Sequence, residues 1–330
     1  MYYDIPEYTG PFKDALYNYV EYKRSLGHDY GKPILYRLRE IDLFFKASGV
    51  VNLEITEDMF ELWSRKRDGE SAVNRRRRIG ALIEFSKFLA SRNYENIYIG
   101  TLSGLPPTIR FVPYIFSRVE IAAIFDVLQQ IIRSSPDDAE MATFAMMICL
   151  YYGCGLRKTE AQRLTVKDFS ASAGSLRIMD SKNHASRLVL LSESIKRQLA
   201  DYCDRFRIGC GGESLLFTSD KGTMFSNGKL YGRYSRALSL AGISPRENGK
   251  LPRIHDLRHT FCVHTLETMV GKGFDLYVSL PLLVTYLGHN CIFETEYYLR
   301  LVEENFTNVT SASQNYAPSM FPKVGDLREE

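Results

Sequence analysis

The chain has little of what marks several common protein classes. Only six of its 330 residues are cysteine, at positions 149, 154, 203, 210, 262 and 291, with no C-x-x-C pair and no regular spacing. That excludes a disulfide framework and predicts reduced thiols in a cytoplasmic protein. A long uncharged stretch, Met141 to Leu156, is shorter than the ~20 apolar residues of a membrane helix and ends in Gly153 and Gly155, so it reads as a buried core helix. The opening residues, Met1 to Glu7, are acidic and carry no apolar segment, which argues against a secretory signal. Strong net charge is absent too. Its 42 basic and 39 acidic residues leave +3, a balance that by itself names no partner. There is no internal repeat and no low-complexity tract.

What is present is clumped charge and clear periodicity. Seven basic residues (Arg65, Lys66, Arg67, Arg75, Arg76, Arg77 and Arg78) lie between positions 65 and 78, against Asp68 and Glu70. Such a patch reads either as a solvated helix face or as a surface for phosphates. The first hundred residues carry four helical periods. One runs from Phe12 to Gly27, one over 34–45, one after a Thr56 cap with Trp63 inward, and one over 71–91 whose first turns hold Arg75–Arg78. Residues Gly100 to Thr108 are turn formers without charge and read as an interdomain linker, closed by Pro113.

Beyond it, Ser117 and Glu120 form a candidate capping box. Helical patterns follow at 117–133, 138–152, 192–206, 226–241, 256–270, 279–287 and 293–302. Ser175–Met179 and Arg187–Leu191 flank a polar turn and predict a hairpin. The expected fold is mainly α with a small antiparallel β section. Its expected parts are a helical domain at 1–100, a linker at 101–113, a second domain at 114–303 and a tail at 304–330.

The polar residues of the second domain gain meaning from their order. Arg157 follows a glycine-broken turn, with Glu160 three residues on. His255 and Arg258 share a helix face by their spacing. Leu287-Gly288-His289 comes next, and Tyr298 lies nine residues after that histidine. In this order the chain resembles the tyrosine recombinases, the phage integrase family, from about Pro113 to Arg300. The family shows an arginine after a glycine turn, a hairpin lysine, an H-x-x-R pair, a histidine in an L-G-H context and a tyrosine. The matching residues are Arg157, Lys182, His255, Arg258, His289 and Tyr298, and Glu160 matches an acidic position. The first domain resembles the family's core-binding domain in length and helix content.

The chemistry suits these residue types. Two arginines grip the non-bridging oxygens of a phosphate that gains charge in its transition state, and neither loses its proton. Tyrosine, with a pKa near ~10, becomes a nucleophile when cations favour its phenolate. Lys182 would protonate the departing 5′-oxygen, while His255 and His289 would hydrogen-bond the phosphate. Because the phosphotyrosine bond conserves energy, no ATP, metal or other cofactor is required.

The resemblance implies DNA cleavage and rejoining through a 3′-phosphotyrosine at specific double-stranded sites. It also implies a homo-tetramer on synapsed DNA, Holliday-junction exchange and a tail that docks on a neighbouring protomer, with the protein a monomer free in solution. A mobile-element role is the reading adopted. The Arg75–Arg78 run would contact DNA.

Each residue also has a plainer reading. Arg157 alone would be a helix-start ion pair, His289 a helix-end residue and Lys182 a solvated turn residue rivalled by Lys158 and Lys167. Tyr298 has Tyr297 as its neighbour, pointing about 100° away on a helix. His255 and His259 at i, i+4 invite a metal reading, but no H-E-x-x-H arrangement is present. Rival functions are a type IB topoisomerase, an inactive DNA-binding regulator of the same fold and a metal-dependent nuclease.

Overall fold

A computed structural model of the chain describes residues 3–50, 52–107, 112–179, 186–246 and 249–288. It divides into two compact units, Met1–Phe111 and Val112–Glu330.

The first unit is four helices: α1 (Lys13–Ser25), α2 (Lys32–Ala47), α3 (Glu57–Ser64) and α4 (Ala72–Ser91). Apolar residues at three- and four-residue spacing explain why each folds against the others. Leu35, Leu38, Ile41 and Phe45 make the buried stripe of α2, and Ile79, Leu82, Phe85 and Leu89 that of α4. Pro33 opens α2, where its missing N–H costs nothing. The Thr56 hydroxyl accepts from the Met59 amide at the start of α3, as the sequence leads one to expect, and the Ser71 hydroxyl accepts from the Asn74 amide at the start of α4. At the centre, Phe12 meets Phe45 and Phe85 at ring distances of 4.8 and 5.9 Å. Buried Asp42 accepts from the amides of Thr9 and Gly10, at 2.7 and 2.8 Å, which fastens the N-terminal segment to α2.

The second unit surrounds α6 (Ala139–Gly153), whose apolar residues are buried around most of its circumference, including Phe144, Met147, Leu150 and Tyr151. This is the core helix expected from the uncharged stretch. It packs on α5 (Arg118–Ser134), α8 (Glu193–Phe206) and α10 (Ile254–Gly271). The Ser117–Glu120 capping box forms as expected, with the Ser117 amide 2.7 Å from the Glu120 carboxylate. A short helix, α7 (Lys158–Arg163), and a 3₁₀ turn (Val166–Asp168) lead into an antiparallel sheet of β1 (Phe169–Ser170), β2 (Ser175–Ile178) and β3 (Arg187–Leu190), in that order. Ser175 pairs with Leu190, and Ile178 with Arg187. Leu176, Ile178 and Val189 point into the core.

Helix α9 (Asn227–Leu240) packs on α5, and α11 (Leu276–Leu287) packs on α10 through Cys262, Val263, Leu266, Leu280, Leu283 and Leu287. In the second unit two starts differ from the sequence expectation by more than one residue. α10 begins two residues earlier, because the Asp256 carboxylate accepts from the Arg253 amide at 2.7 Å. α11 begins at Leu276 rather than 279, because Asp275 caps the Tyr277 and Val278 amides. The helix expected at 293–302 lies outside the described residues. Among the described residues, no helix is long and apolar enough to cross a membrane.

Candidate active site

Three of the expected site residues come together in the second unit. Arg157 stands at the N-cap of α7, Glu160 in that helix's first turn and Arg258 in the second turn of α10. The Arg157 guanidinium donates to Glu160 Oε1 at 2.9 Å, and its amide donates to Oε2 at 2.8 Å. Arg258 Nη1 lies 3.9 Å from Glu160 Oε2. Arg258 is almost wholly buried and donates to the backbone carbonyls of Gly155 and, at 2.9 Å, Leu287. Donors anchored on main-chain carbonyls have a fixed plane, so this guanidinium is preorganised.

Glu160 is the hub of this arrangement. Burial by itself would raise its pKa. The hydrogen bonds and charge of Arg187, the Arg157 amide and the charge of Arg258 override that and bring the carboxyl down to about 2. It is therefore ionised at every physiological pH. Three guanidiniums (Arg157, Arg187, Arg258) surround one carboxylate, so two positive charges remain in excess.

His255, in the first turn of α10, keeps an exposed edge, with its ring 4.7 Å from that of His259. Burial lowers its pKa, and the neighbouring His259, Arg258 and Arg253 lower it further, against a smaller rise from Asp256. The exposed edge moderates the first effect, but both act in the same direction, so the free protein holds a neutral imidazole at pH 7. Asp256 is turned inward and engaged with Arg253, on a face away from His255. Tyr286, the tyrosine closest in sequence to the L-G-H turn, is not poised as a phenolate. Burial pushes its hydroxyl pKa upward, and it donates to the Leu190 carbonyl at 3.3 Å. Lys182, His289, Tyr297 and Tyr298 lie outside the described residues.

Two glycines make the site possible. Gly155 and Gly288 both have left-handed φ, +60° and +64°, which a side chain disfavours. A Cβ on Gly155 would come within 2.5 Å of the Phe261 ring, and one on Gly288 would sit 3.2 Å from Arg187 Cδ. The glycines in the two motifs therefore mark close approach as well as turns.

Sequence reasoning missed Arg187. Its side chain donates to both Glu160 oxygens, at 2.9 and 2.8 Å, and to the Tyr286 carbonyl at 2.9 Å. A signal was available. Arg187 is two residues from buried Val189 on the same strand, so the period of two places a guanidinium on the inward face.

In the first unit the basic run divides. Arg78 was expected at DNA, and the structure corrects this: it is buried and donates to Glu70 with Nε and Nη2, both at 2.7 Å, and to the carbonyls of Trp63 and Arg65. Its side chain also lies against the Trp63 ring. All three of its nitrogens are spent within the unit, two of them on the Glu70 carboxylate that neutralises its charge. Arg75 and Arg76 are half-buried, and Arg77 is exposed. Partial burial lowers the pKa of Arg37, the charge of Glu40 raises it and that of Arg77 lowers it, so Arg37 on α2 lies near both Glu40 and, on α4, Arg77.

Residues 123–305, more than half of the chain, match the phage integrase family. The chain belongs to that family, whose members are tyrosine recombinases, enzymes that cut and rejoin DNA. It is 28% identical over 304 residues to a putative integrase/recombinase, y4rB, of Sinorhizobium fredii, covering 87% of this chain and 92% of that protein. It is 26% identical over 249 residues to tyrosine recombinase XerC of Vibrio cholerae, covering 74% and 72%. Its fold resembles the Tn1549 transposon integrase in complex with circular intermediate DNA, with a TM-score of 0.59, 17% identity and coverage of 86% and 94%. It also resembles the XerH recombinase bound to palindromic difH substrate in a post-cleavage complex, with a TM-score of 0.58, 23% identity and coverage of 80% and 73%.

Proposed function

We propose that the chain is a site-specific recombinase of a mobile element, acting on double-stranded DNA with Tyr298 as nucleophile. The observation that carries this reading is the convergence of Arg157 and Arg258 on one ionised carboxylate, each oriented by a backbone carbonyl at the end of α11. That end leads directly into His289 and, nine residues later, Tyr298.

In this reading the two guanidiniums hold the non-bridging oxygens of the scissile phosphate and neutralise its growing charge. Tyr298 gives up its hydroxyl proton to solvent, and the phenolate attacks phosphorus and forms a 3′-phosphotyrosine as the bond to the 5′-oxygen breaks. The 5′-oxygen leaves with a proton from Lys182, and His255 and His289 donate hydrogen bonds to the phosphate. A phosphate beside His255 stabilises the imidazolium and so reverses the shift found in the free protein. Resealing is the same path backwards, with an incoming 5′-hydroxyl displacing tyrosine.

The domains at 1–100 and 114–303 would clamp the duplex through the 101–113 linker. Arg75, Arg76 and Arg77, with Arg37, would contact the phosphates. A cytoplasmic tetramer exchanging strands through a Holliday junction completes the proposal, with the 304–330 tail docking on a neighbour.

Incubation with a nicked suicide duplex tests it. A covalent protein–DNA adduct should form in EDTA, and Tyr298→Phe should abolish it. Failure to form an adduct would mark a DNA-binding regulator, and an EDTA-sensitive cut a nuclease. Relaxation of supercoils without partner exchange would mark a type IB topoisomerase. Unchanged assembly on DNA after deletion beyond Leu301 would dismiss tail docking.

A further inference from the structure

Three consecutive carbonyls at the end of α11 each receive a different arginine. Tyr286 accepts from Arg187 Nε, Leu287 from Arg258 Nη2 and Gly288 from Arg157 Nη2, each at 2.9 Å. These carbonyls belong to the helix's last turn, where the partial negative charge of the macrodipole gathers and cations are favoured. The same three guanidiniums meet again at Glu160. The turn that introduces His289 is thus indexed to the arginine cluster on one side and to the carboxylate through it on the other.

Arg187 differs from the other two in how it is used. Its Nη1 and Nη2 form a parallel pair of bonds with Oε1 and Oε2 of Glu160, and its Nε takes the Tyr286 carbonyl. All three nitrogens of its head have protein acceptors, two on Glu160 and one on Tyr286. We infer that Arg187 is a positioning residue for DNA cleavage, holding Glu160 and the end of α11 so that Arg157 and Arg258 face the phosphate. The inference rests on the reading in which those two arginines grip it.

The physical argument is competition for one carboxylate. Without Arg187, the two Glu160 oxygens keep only Arg157 and the more distant Arg258, at 3.9 Å, as cationic partners within the cluster. A buried carboxylate left short of donors recruits its neighbours. Arg258 would close on Oε2, and both guanidinium planes would turn inward. The local excess of positive charge would fall from two to one, and the Tyr286 carbonyl would lose its restraint. Close packing at this corner supports the role, since a Cβ on Gly288 would sit 3.2 Å from both Cδ and Nη1 of Arg187.

The test measures adduct formation by the full chain, at saturating protein, on two nicked suicide duplexes. One has a phosphodiester at the scissile position and the other a methylphosphonate, whose methyl group removes the charge that the guanidiniums must offset. Misplacing catalytic groups by about 1 Å typically slows a reaction ~100-fold, so Arg187→Ala should lose about that factor on the phosphodiester. DNA affinity should stay within about three-fold, since all three nitrogens of its head are bonded within the protein. On the methylphosphonate most of the deficit should disappear. Arg187→Lys keeps a cation but lacks the fork, so it should show the same pattern, and it decides the question if the alanine variant does not fold.

Arg157→Ala is the comparator. If its deficit survives on the methylphosphonate, the phosphate-grip reading fails. If Arg157→Ala is rescued but the Arg187 variants lose the same factor on both duplexes, or lose nothing on the phosphodiester, the positioning role is overturned.

Discussion

Replacing Glu160 by glutamine removes one charge from the centre of the arginine cluster while keeping the side chain's size. The carboxyl is brought from an ordinary 4.5 to about 2, despite burial that opposes ionisation. At about 1.4 kcal/mol per pKa unit, its ionised form therefore contributes on the order of 3 kcal/mol to folding at neutral pH. Because the folded pKa lies below the unfolded one, this contribution is complete above pH 4.5 and is lost as pH falls towards 2. Glu160→Gln should cost about 3 kcal/mol at pH 7 and converge on the parent protein in acid.

Urea unfolding at several pH values measures this. The only tryptophan, Trp63, is in the first unit, so its fluorescence follows Met1–Phe111 while circular dichroism follows both units. The variant should shift the dichroism transition and leave the fluorescence transition in place. A cost under about 1 kcal/mol at pH 7, or a cost that does not shrink in acid, would refute the assignment of Glu160 as the charged hub.

Gly288→Ala should destabilise by about 1–2 kcal/mol, read from the thermal midpoint, because a side chain disfavours its left-handed φ; it should also slow adduct formation by crowding Arg187. In the first unit, Arg78→Ala should cost about 3–5 kcal/mol, because it leaves the Glu70 carboxylate without its buried partner; the Trp63 fluorescence midpoint reports it directly. Arg77→Ala should leave that midpoint within about 0.5 kcal/mol. It should weaken DNA binding and reduce the slope of log affinity against log salt by about 1, measured by titration at several salt concentrations. If instead Arg78→Ala changes binding while stability holds, the division of the basic run is wrong.

Most of the described helices, the Thr56 and Ser117 caps and the order of the site motifs were legible in the sequence, because each depends on neighbours within a few residues. A hydroxyl three positions before an amide, or an apolar stripe of period 3.6, is written locally in the chain. So were Gly155 and Gly288, where the backbone turns through a conformation other residues avoid.

The partners of the charged residues were not legible. Arg78 belongs to a run of four arginines, and helical periodicity in so polar a turn does not say which one turns inward; the answer depends on Glu70 and Trp63 from outside the helix. Arg187 looked like the polar start of a strand until the fold set it against Glu160, 27 residues earlier. The arginines reach the end of α11 from 131, 99 and 29 residues away, and no local pattern encodes a carbonyl's partner at those separations. The chain by itself specified which residue types the chemistry requires, in what order they come, and that Arg157 and Arg258 ride near helix starts. Tertiary packing alone decided which arginines present charge and which are held by the protein, because that choice rests on distances between segments that meet only when the core closes.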